Sequence, residues 1–74
     1  MPNTCSGKKA VKILCRSFGF VIVSQKGSHV KLRKNISGKV ATTIVPIHRE
    51  LAKGTLMGIL ELAKVNSKEF HKYL

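Results

Sequence analysis

One stretch of eight residues, 26–33, combines a histidine with three cationic side chains. It reads Lys-Gly-Ser-His-Val-Lys-Leu-Arg, and His29 directly follows Gly27 and Ser28. Imidazole exchanges protons near neutral pH, and lysine and arginine bind phosphate oxygens and stabilise developing negative charge. These groups are what RNA cleavage without a metal requires. A base takes the proton of the ribose 2′-OH, that oxygen attacks the adjacent phosphate, and cations stabilise the pentavalent phosphorus.

Gly27 and Ser28 separate two stretches, 20–26 and 29–34, that are typical of β-strands. A glycine in the first position of a two-residue turn favours a type II′ hairpin. The opposed pairs are then Lys26 with His29, Ser24 with Lys31, and Ile22 with Arg33. Because side chains alternate along a strand, one face carries Lys26, His29, Lys31 and Arg33. We expect the other face, with Val21, Val23, Val30 and Leu32, to enter the core.

Simpler explanations exist for the same residues. A single histidine on an exposed strand is more often a polar surface residue than a catalyst, and a basic face is more often a passive phosphate-binding surface. His48, after Pro46 and Ile47, fits a surface or turn position, and His71 fits the solvated side of a last helix. The alternatives to an enzyme are therefore a non-catalytic RNA-binding module and a basic protein whose partner is an acidic protein.

The charge distribution favours a polyanionic partner. Fourteen Lys and Arg against three acidic residues give a net charge of +11, and residues 1–49 contain no Asp or Glu. Such a field attracts polyanions, so nucleic acid is the first candidate, an acidic protein the second and a membrane surface the third.

The length of 74 residues corresponds to one domain, 1–74. The sequence has no apolar run long enough to span a membrane and no signal-peptide pattern, so we predict a cytoplasmic protein without a membrane partner. Cys5 and Cys15 are expected to be reduced thiols there. No Cys or His spacing resembles a metal site, so neither a metal nor another cofactor is predicted.

The periodicity predicts a helix over 6–18, strands over 20–26, 29–34 and 40–45, a helix over 54–64, and a short helix after Asn66. Ser6, Thr55 and Asn66 are the predicted helix caps, with Glu69 completing a capping box, and Gly19 suits the end of the first helix. We expect Phe70, Tyr73 and Leu74 on the buried side of the last helix. This order predicts an α+β fold, with a three-stranded antiparallel sheet covered by helices on one face.

Four motifs, in order, resemble the HicA family of toxin–antitoxin ribonucleases, and together they cover almost the whole chain. The motifs are Gly19-Phe20 with Gln25-Lys26-Gly27-Ser28-His29, then Val45-Pro46-Ile47-His48, then Lys53-Gly54-Thr55-Leu56 with Ile59-Leu60, and finally Glu69-Phe70. Leu32 departs from the family pattern, which usually has an aromatic residue there. Lys64 departs too, where the family often has a glycine that ends the helix.

The resemblance implies an α-β-β-β-α fold like that of double-stranded-RNA-binding domains, with a short extra helix. It also implies a metal-independent endoribonuclease that cleaves mRNA, with His29 at the catalytic position, and a cognate HicB-type antitoxin. From the hairpin geometry, Lys26, Lys31 and Arg33 are the predicted phosphate contacts. Gly27 shapes the turn, and Ser28 can donate a hydrogen bond to a phosphate. The acid that protonates the departing 5′ oxygen is a lysine, Ser28 or water, and His48 is left outside the catalytic set.

Overall fold

The computed structural model describes residues 4–74 and confirms the predicted α-β-β-β-α order with a short final helix. The elements are α1 (Gly7–Phe18), β1 (Val21–Lys26), β2 (His29–Ile36), β3 (Lys39–Pro46), α2 (Lys53–Ala63) and α3 (Ser67–His71). The three strands form one antiparallel sheet in the order β1-β2-β3. The long β2 is therefore the central strand.

Helix α1 has the two ends that its sequence predicts. The Oγ atom of Ser6 accepts a hydrogen bond from the backbone N–H of Lys9 at 3.0 Å. Gly19 ends the helix with a φ of 76°, a left-handed conformation that glycine adopts without steric cost. One side of the helix buries Ala10, Ile13 and Leu14, so α1 packs on the sheet through a continuous apolar stripe.

Two tight turns join the strands. Gly27 has a φ of 59°, whereas Ser28 does not have a positive φ, and this combination fits the predicted type II′ turn. Between β2 and β3, Ser37 and Gly38 both have positive φ angles, 50° and 83°. The connection is shorter than the predicted loop, because Ile36 and Lys39 already pair in the sheet.

The core lies between the helices and the strands β2 and β3. Val30 and Leu32 of β2 are buried as predicted, and β3 contributes Ala41, Thr43 and Val45. The hydroxyl of Thr43 donates a hydrogen bond to the carbonyl oxygen of Ile59 in α2 at 2.8 Å. This bond fixes α2 on β3 and satisfies a polar group that would otherwise be costly to bury.

Strand β1 contradicts two of the sequence predictions. Val21 and Val23 were expected in the core, but they are 59% and 41% exposed. Ile22 pairs with Leu32 rather than with Arg33, which pairs with Val21, because the register shifts between Ile22 and Ser24. A bulge adds one residue to a strand and so reverses the faces of the residues before it. The helices leave β1 uncovered as well, because their main contacts with the sheet are with β3.

The starts of the other helices correct two further predictions. Helix α2 begins at Lys53, and its capping position is Ala52, without a side-chain hydrogen bond, so Thr55 is not the cap. Asn66 does cap α3, by accepting from the backbone N–H groups of Lys68 and Glu69. The carboxylate of Glu69 pairs with Lys72 at 2.8 Å, however, and does not complete a capping box.

Helix α3 ends at His71, so the residues after it leave the helical pattern. Phe70 is fully buried, but Tyr73 is 51% exposed, contrary to prediction. His71 is half-buried rather than fully exposed as predicted, and its Nδ1 atom lies 2.6 Å from the carbonyl oxygen of Ser67. Lys64 takes the left-handed position that ends α2, with a φ of 60°, at a steric cost that glycine would avoid.

Neither cysteine forms a disulfide. Burial raises the pKa of the Cys5 thiol, and it raises the pKa of Cys15 as well. None of the helices within residues 4–74 is long and apolar enough to cross a membrane.

Candidate functional site

The face of the sheet that is turned away from the helices, which we call the open sheet face, carries a row of cations. His29, Lys31 and Arg33 alternate with the buried Val30 and Leu32 along β2, so they project from this face. Lys26 pairs directly with His29 across the hairpin. The prediction that Lys26, His29, Lys31 and Arg33 share one face is therefore confirmed.

His29 lies at the first position of the central strand, with a neighbour on each side. It pairs with Lys26 of β1 and with Pro46 of β3. The turn before it is held by two hydrogen bonds: Ile47 N–H donates to the carbonyl oxygen of Ser28 at 2.6 Å, and the side-chain Nε2 of Gln25 donates to that of Gly27 at 3.1 Å. The backbone at His29 is thus fixed although its side chain is exposed.

The start of α1 is joined to this same end of the sheet. Gly7 N–H donates to the carbonyl oxygen of His48 at 2.9 Å. A Cβ atom on Gly7 would clash with the carbonyl oxygen of Pro46, so only glycine allows the helix to begin this close to β3. Leu51 N–H donates to the carbonyl oxygen of Cys5 at 2.8 Å. These bonds connect His29, through residues 46–51, with the beginnings of α1 and α2.

Both helices therefore begin at the end of the sheet where His29 lies. The amino end of a helix carries partial positive charge from aligned peptide dipoles, and it attracts anions. Exposed cations surround this end: Lys8 and Lys9 in the first turn of α1, Arg49 in the connecting segment, and Lys53 at the start of α2. Glu50 is the acidic residue of this region.

Neither Arg49 nor Lys53 was predicted from the sequence as a site residue, although Lys53 opens one of the four motifs. Neither belongs to the hairpin, and no spacing rule connects them with His29. The order of the elements could have indicated their proximity to His29. Since α1 runs towards the start of β1 and α2 follows the end of β3, both helices begin at the same end of the sheet. Within residues 4–74 the one ion pair is Lys72 with Glu69, so the cations around His29 have no carboxylate partners.

The geometry suits a polymer and not a small molecule. His29 and its neighbours lie on an open surface, whereas small ligands usually bind in concave cavities. A cavity of about 710 Å³ exists between α2 and α3, but it is lined by residues such as Leu51, Leu56, Leu60 and His71 and by none of the predicted site residues. An exposed imidazole beside a row of cations can contact a phosphodiester chain laid across the sheet.

The remaining predicted residues occupy the positions expected of them. Ser28 is exposed in the turn next to His29, and His48 is exposed in the segment that contacts the start of α1. In the part of the chain that the structure covers, no group of three or more His, Cys, Asp or Glu side chains could hold a metal ion.

Comparison with known proteins agrees with this arrangement. A search of the curated proteins gave no match. The family model for the HicA toxin of bacterial toxin–antitoxin systems matches residues 7–65, a span that runs from the first residue of α1 past the end of α2. It includes the entire sheet, His29 and each predicted cation. Since this match covers most of the chain, the protein belongs to the HicA toxin family, and a cognate antitoxin is its partner.

Proposed function

We propose that this toxin is an endoribonuclease that cleaves mRNA without a metal ion and thereby stops translation and growth. The observation that carries the proposal is the exposed His29 on one face with Lys26, Lys31 and Arg33, in a chain of a toxin family. Since mRNA is the substrate, the toxin acts in the cytoplasm, and the antitoxin that suppresses it is of the HicB type.

His29 acts as the general base. Its neutral imidazole takes the proton of a ribose 2′-OH, and the oxygen attacks the adjacent phosphorus. The bond from phosphorus to the 5′ oxygen then breaks, which leaves a 2′,3′-cyclic phosphate on one product and a 5′-OH on the other. The exposure of His29 supports this role, because an RNA chain can approach its ring directly.

The cations differ in their distance from the reacting phosphate. Lys26 is directly opposite His29, and Lys31 is two residues along the strand, about 7 Å away at the usual rise. These two stabilise the pentavalent phosphorus. Arg33 is about 13 Å from His29 by the same measure, so it binds the phosphate of a neighbouring nucleotide.

A second group must protonate the departing 5′ oxygen, since one histidine cannot be base and acid in the same step. Ser28 and Lys26 both adjoin His29, and both carry a proton that they can donate. Ser28 also offers a hydrogen bond to a phosphate oxygen. A bound water is the remaining donor.

The decisive experiment replaces His29 by alanine. Purified wild-type protein should cut RNA in the presence of EDTA, and its expression should arrest growth. We expect His29→Ala to lower the cleavage rate by at least about 100-fold, the contribution typical of a general base. Because His29 is exposed, the variant should unfold at nearly the wild-type temperature.

A matched variant, His48→Ala, removes an exposed imidazole from the same end of the molecule and should leave cleavage largely intact. Cleavage by His29→Ala at the wild-type rate would refute the mechanism, and loss of wild-type cleavage in EDTA would refute independence from metal. If wild-type protein bound RNA with the affinity of His29→Ala but never cut it, the chain would be a non-catalytic RNA-binding module.

A further inference from the structure

We infer that the outer face of α1 is a second RNA-binding surface, which holds the single-stranded substrate beyond the cleavage site. This inference rests on the proposed function, because it extends the path of the same RNA strand. The surface, called the α1 groove here, is a shallow depression of about 240 Å³ lined by Lys9, Lys12, Ile13, Arg16, Ser17 and Tyr73. Its ligand is the phosphate backbone, with one base stacked on Tyr73.

The cations of the α1 groove form one stripe. Lys9, Lys12 and Arg16 lie at positions i, i+3 and i+7 of the helix, all exposed, and this spacing brings them to one side. Along the axis they span about 10 Å at 1.5 Å per residue. A stripe of this length, with long flexible side chains, can contact the phosphates of successive nucleotides.

Solubility alone does not explain this stripe. Helix α1 contains four cations and no acidic residue, and like charges three or four positions apart destabilise a helix. From α2 onward the surface instead carries both positive and negative side chains, as in the pair of Lys72 with Glu69. A mixed surface is sufficient for solubility, whereas an unbalanced stripe becomes favourable when a polyanion covers it.

Tyr73 ends the groove as a supported aromatic ring. It meets Phe18 edge to face, with ring centroids 5.6 Å apart and an interplanar angle of 78°. Phe18 in turn stacks near the buried Phe70, at 6.3 Å. The ring of Tyr73 is therefore fixed on one side and about half exposed on the other, which is the arrangement on which single-stranded bases stack.

The groove leads away from His29. Helix α1 begins beside residues 46–48, and Ile47 is hydrogen-bonded to Ser28 in the turn before His29. An RNA strand that leaves His29 and crosses this corner meets Lys9 first, then Lys12 and Arg16, and finally Tyr73. Helix α1 is about 18 Å long, enough for a few extended nucleotides.

The chemistry of the groove favours RNA over an acidic protein. Protein interfaces centre on apolar and aromatic side chains and are depleted in lysine, but Tyr73 is the one large exposed apolar side chain that lines the α1 groove. The open sheet face has more of the character of a protein interface, since Val21, Val40 and Ile44 are exposed around its basic row.

The test compares two double variants that remove the same charge. The groove variant, Lys12→Gln/Arg16→Gln, removes two of the three cations that line the α1 groove. The control variant, Lys39→Gln/Lys68→Gln, removes two exposed cations that do not line it. Both are made in the His29→Ala protein, so that binding is measured without cleavage. The probes are single-stranded RNAs of about 4 nucleotides, the lower end of the usual binding-site range, and of about 20 nucleotides, longer than that range.

We expect the groove variant to bind the longer RNA at least about tenfold more weakly at low salt. The slope of log affinity against log salt should fall in magnitude by about 1.4, the value for two lost phosphate contacts on a single strand. The control variant and the short RNA should show much smaller changes. Tyr73→Ala should weaken binding of the longer RNA at least about fivefold. With His29 present, the groove variant should raise KM for long RNA and leave kcat unchanged.

Equal binding of the longer RNA by the groove and control variants would overturn the inference. So would an equal loss for both RNA lengths, or a variant that binds RNA normally but no longer binds the antitoxin. None of these results would affect the proposed function, which is judged by His29-dependent cleavage of short RNA. Circular dichroism checks the fold, and glutamine preserves the helix because its helix propensity is close to that of lysine and arginine.

Discussion

The two outer strands of the sheet, β1 and β3, are both rich in β-branched apolar residues but have very different surroundings. Both contain β-branched apolar residues, and both pair with β2. All six residues of β1 are nevertheless exposed, whereas β3 buries Ala41, Thr43 and Val45. Apolar composition therefore does not distinguish the strand that forms the core from the strand that does not.

The cause of the difference is the position of the helices. Helices α1 and α2 pack against β3, and α2 is fixed there by the hydrogen bond from Thr43 to Ile59. All six residues of β1 are exposed, and the bulge near Val23 turns the first residues of the strand to other faces. The strand is held by backbone pairing with β2 on one edge, and no strand within residues 4–74 pairs with its other edge.

This difference shows how the two strands of the functional hairpin are held in place. Strand β1, which carries Lys26, contributes little apolar burial, so its exposed side chains can change without unfolding the domain. Its position depends instead on β2 and on the bond from Ile47 to Ser28. His29, Lys31 and Arg33 instead project from β2, and the buried Val30 and Leu32 that alternate with them anchor this strand in the core.

The difference in burial between β1 and β3 should have its largest effect on stability when the same substitution is made in each strand. Val45→Ala in β3 should lower the free energy of unfolding by about 2 to 3 kcal/mol, because it removes fully buried methyl groups and leaves a cavity. Val21→Ala in β1 should change it by less than about 0.5 kcal/mol. Urea unfolding measures both. Equal losses would mean that β1 is covered in solution.

A second test concerns the contact between α1 and the end of β3. Gly7→Ala places a methyl group against the Pro46 carbonyl and the Ile47 backbone, so we expect a loss of about 2 kcal/mol from overpacking. Gly58→Ala, in open space on α2, should instead stabilise by about 0.5 to 1 kcal/mol. Thermal unfolding compares the two. A neutral Gly7→Ala would show that α1 can move away from β3 at no cost.

The third test, with the smallest expected change in stability, removes the hydrogen bond between β3 and α2. Thr43→Val keeps the shape of the side chain but removes the donor to the Ile59 carbonyl, which should cost about 1 kcal/mol. The neighbouring Thr42 points to the open sheet face, so Thr42→Val should be nearly neutral. If both variants unfold at the same urea concentration, the bond does not contribute to holding α2 on the sheet.

Local patterns predicted the elements well because short-range rules govern them. Ser6 and Asn66 act as caps, Gly19 ends α1, and Gly27 shapes the turn, as their residue types indicate. The cap of α2 was predicted incorrectly at Thr55, because packing begins the helix at Lys53 without any capping side chain. Local preference decides an element's end only where no tertiary contact overrides it.

The candidate site was predictable as far as one hairpin extends. The turn fixes the pairs Lys26 with His29 and Ser24 with Lys31, and strand alternation then puts His29, Lys31 and Arg33 on one face. For the residues of β1 before the bulge this reasoning gave the wrong pairs: Ile22 was predicted opposite Arg33 but pairs with Leu32. A bulge depends on how the strand bends against the rest of the sheet, and no residue in β1 marks it.

The sequence by itself determined the order of elements, the family, and the row of cations around His29, since each depends on residue type and on neighbours close in the chain. Tertiary structure alone decided which apolar strand is buried, where the bulge falls, and that Arg49, Lys53 and the starts of both helices gather at the His29 end. Burial and long-range proximity depend on where the helices rest on the sheet, and this is set by packing between residues far apart in the chain.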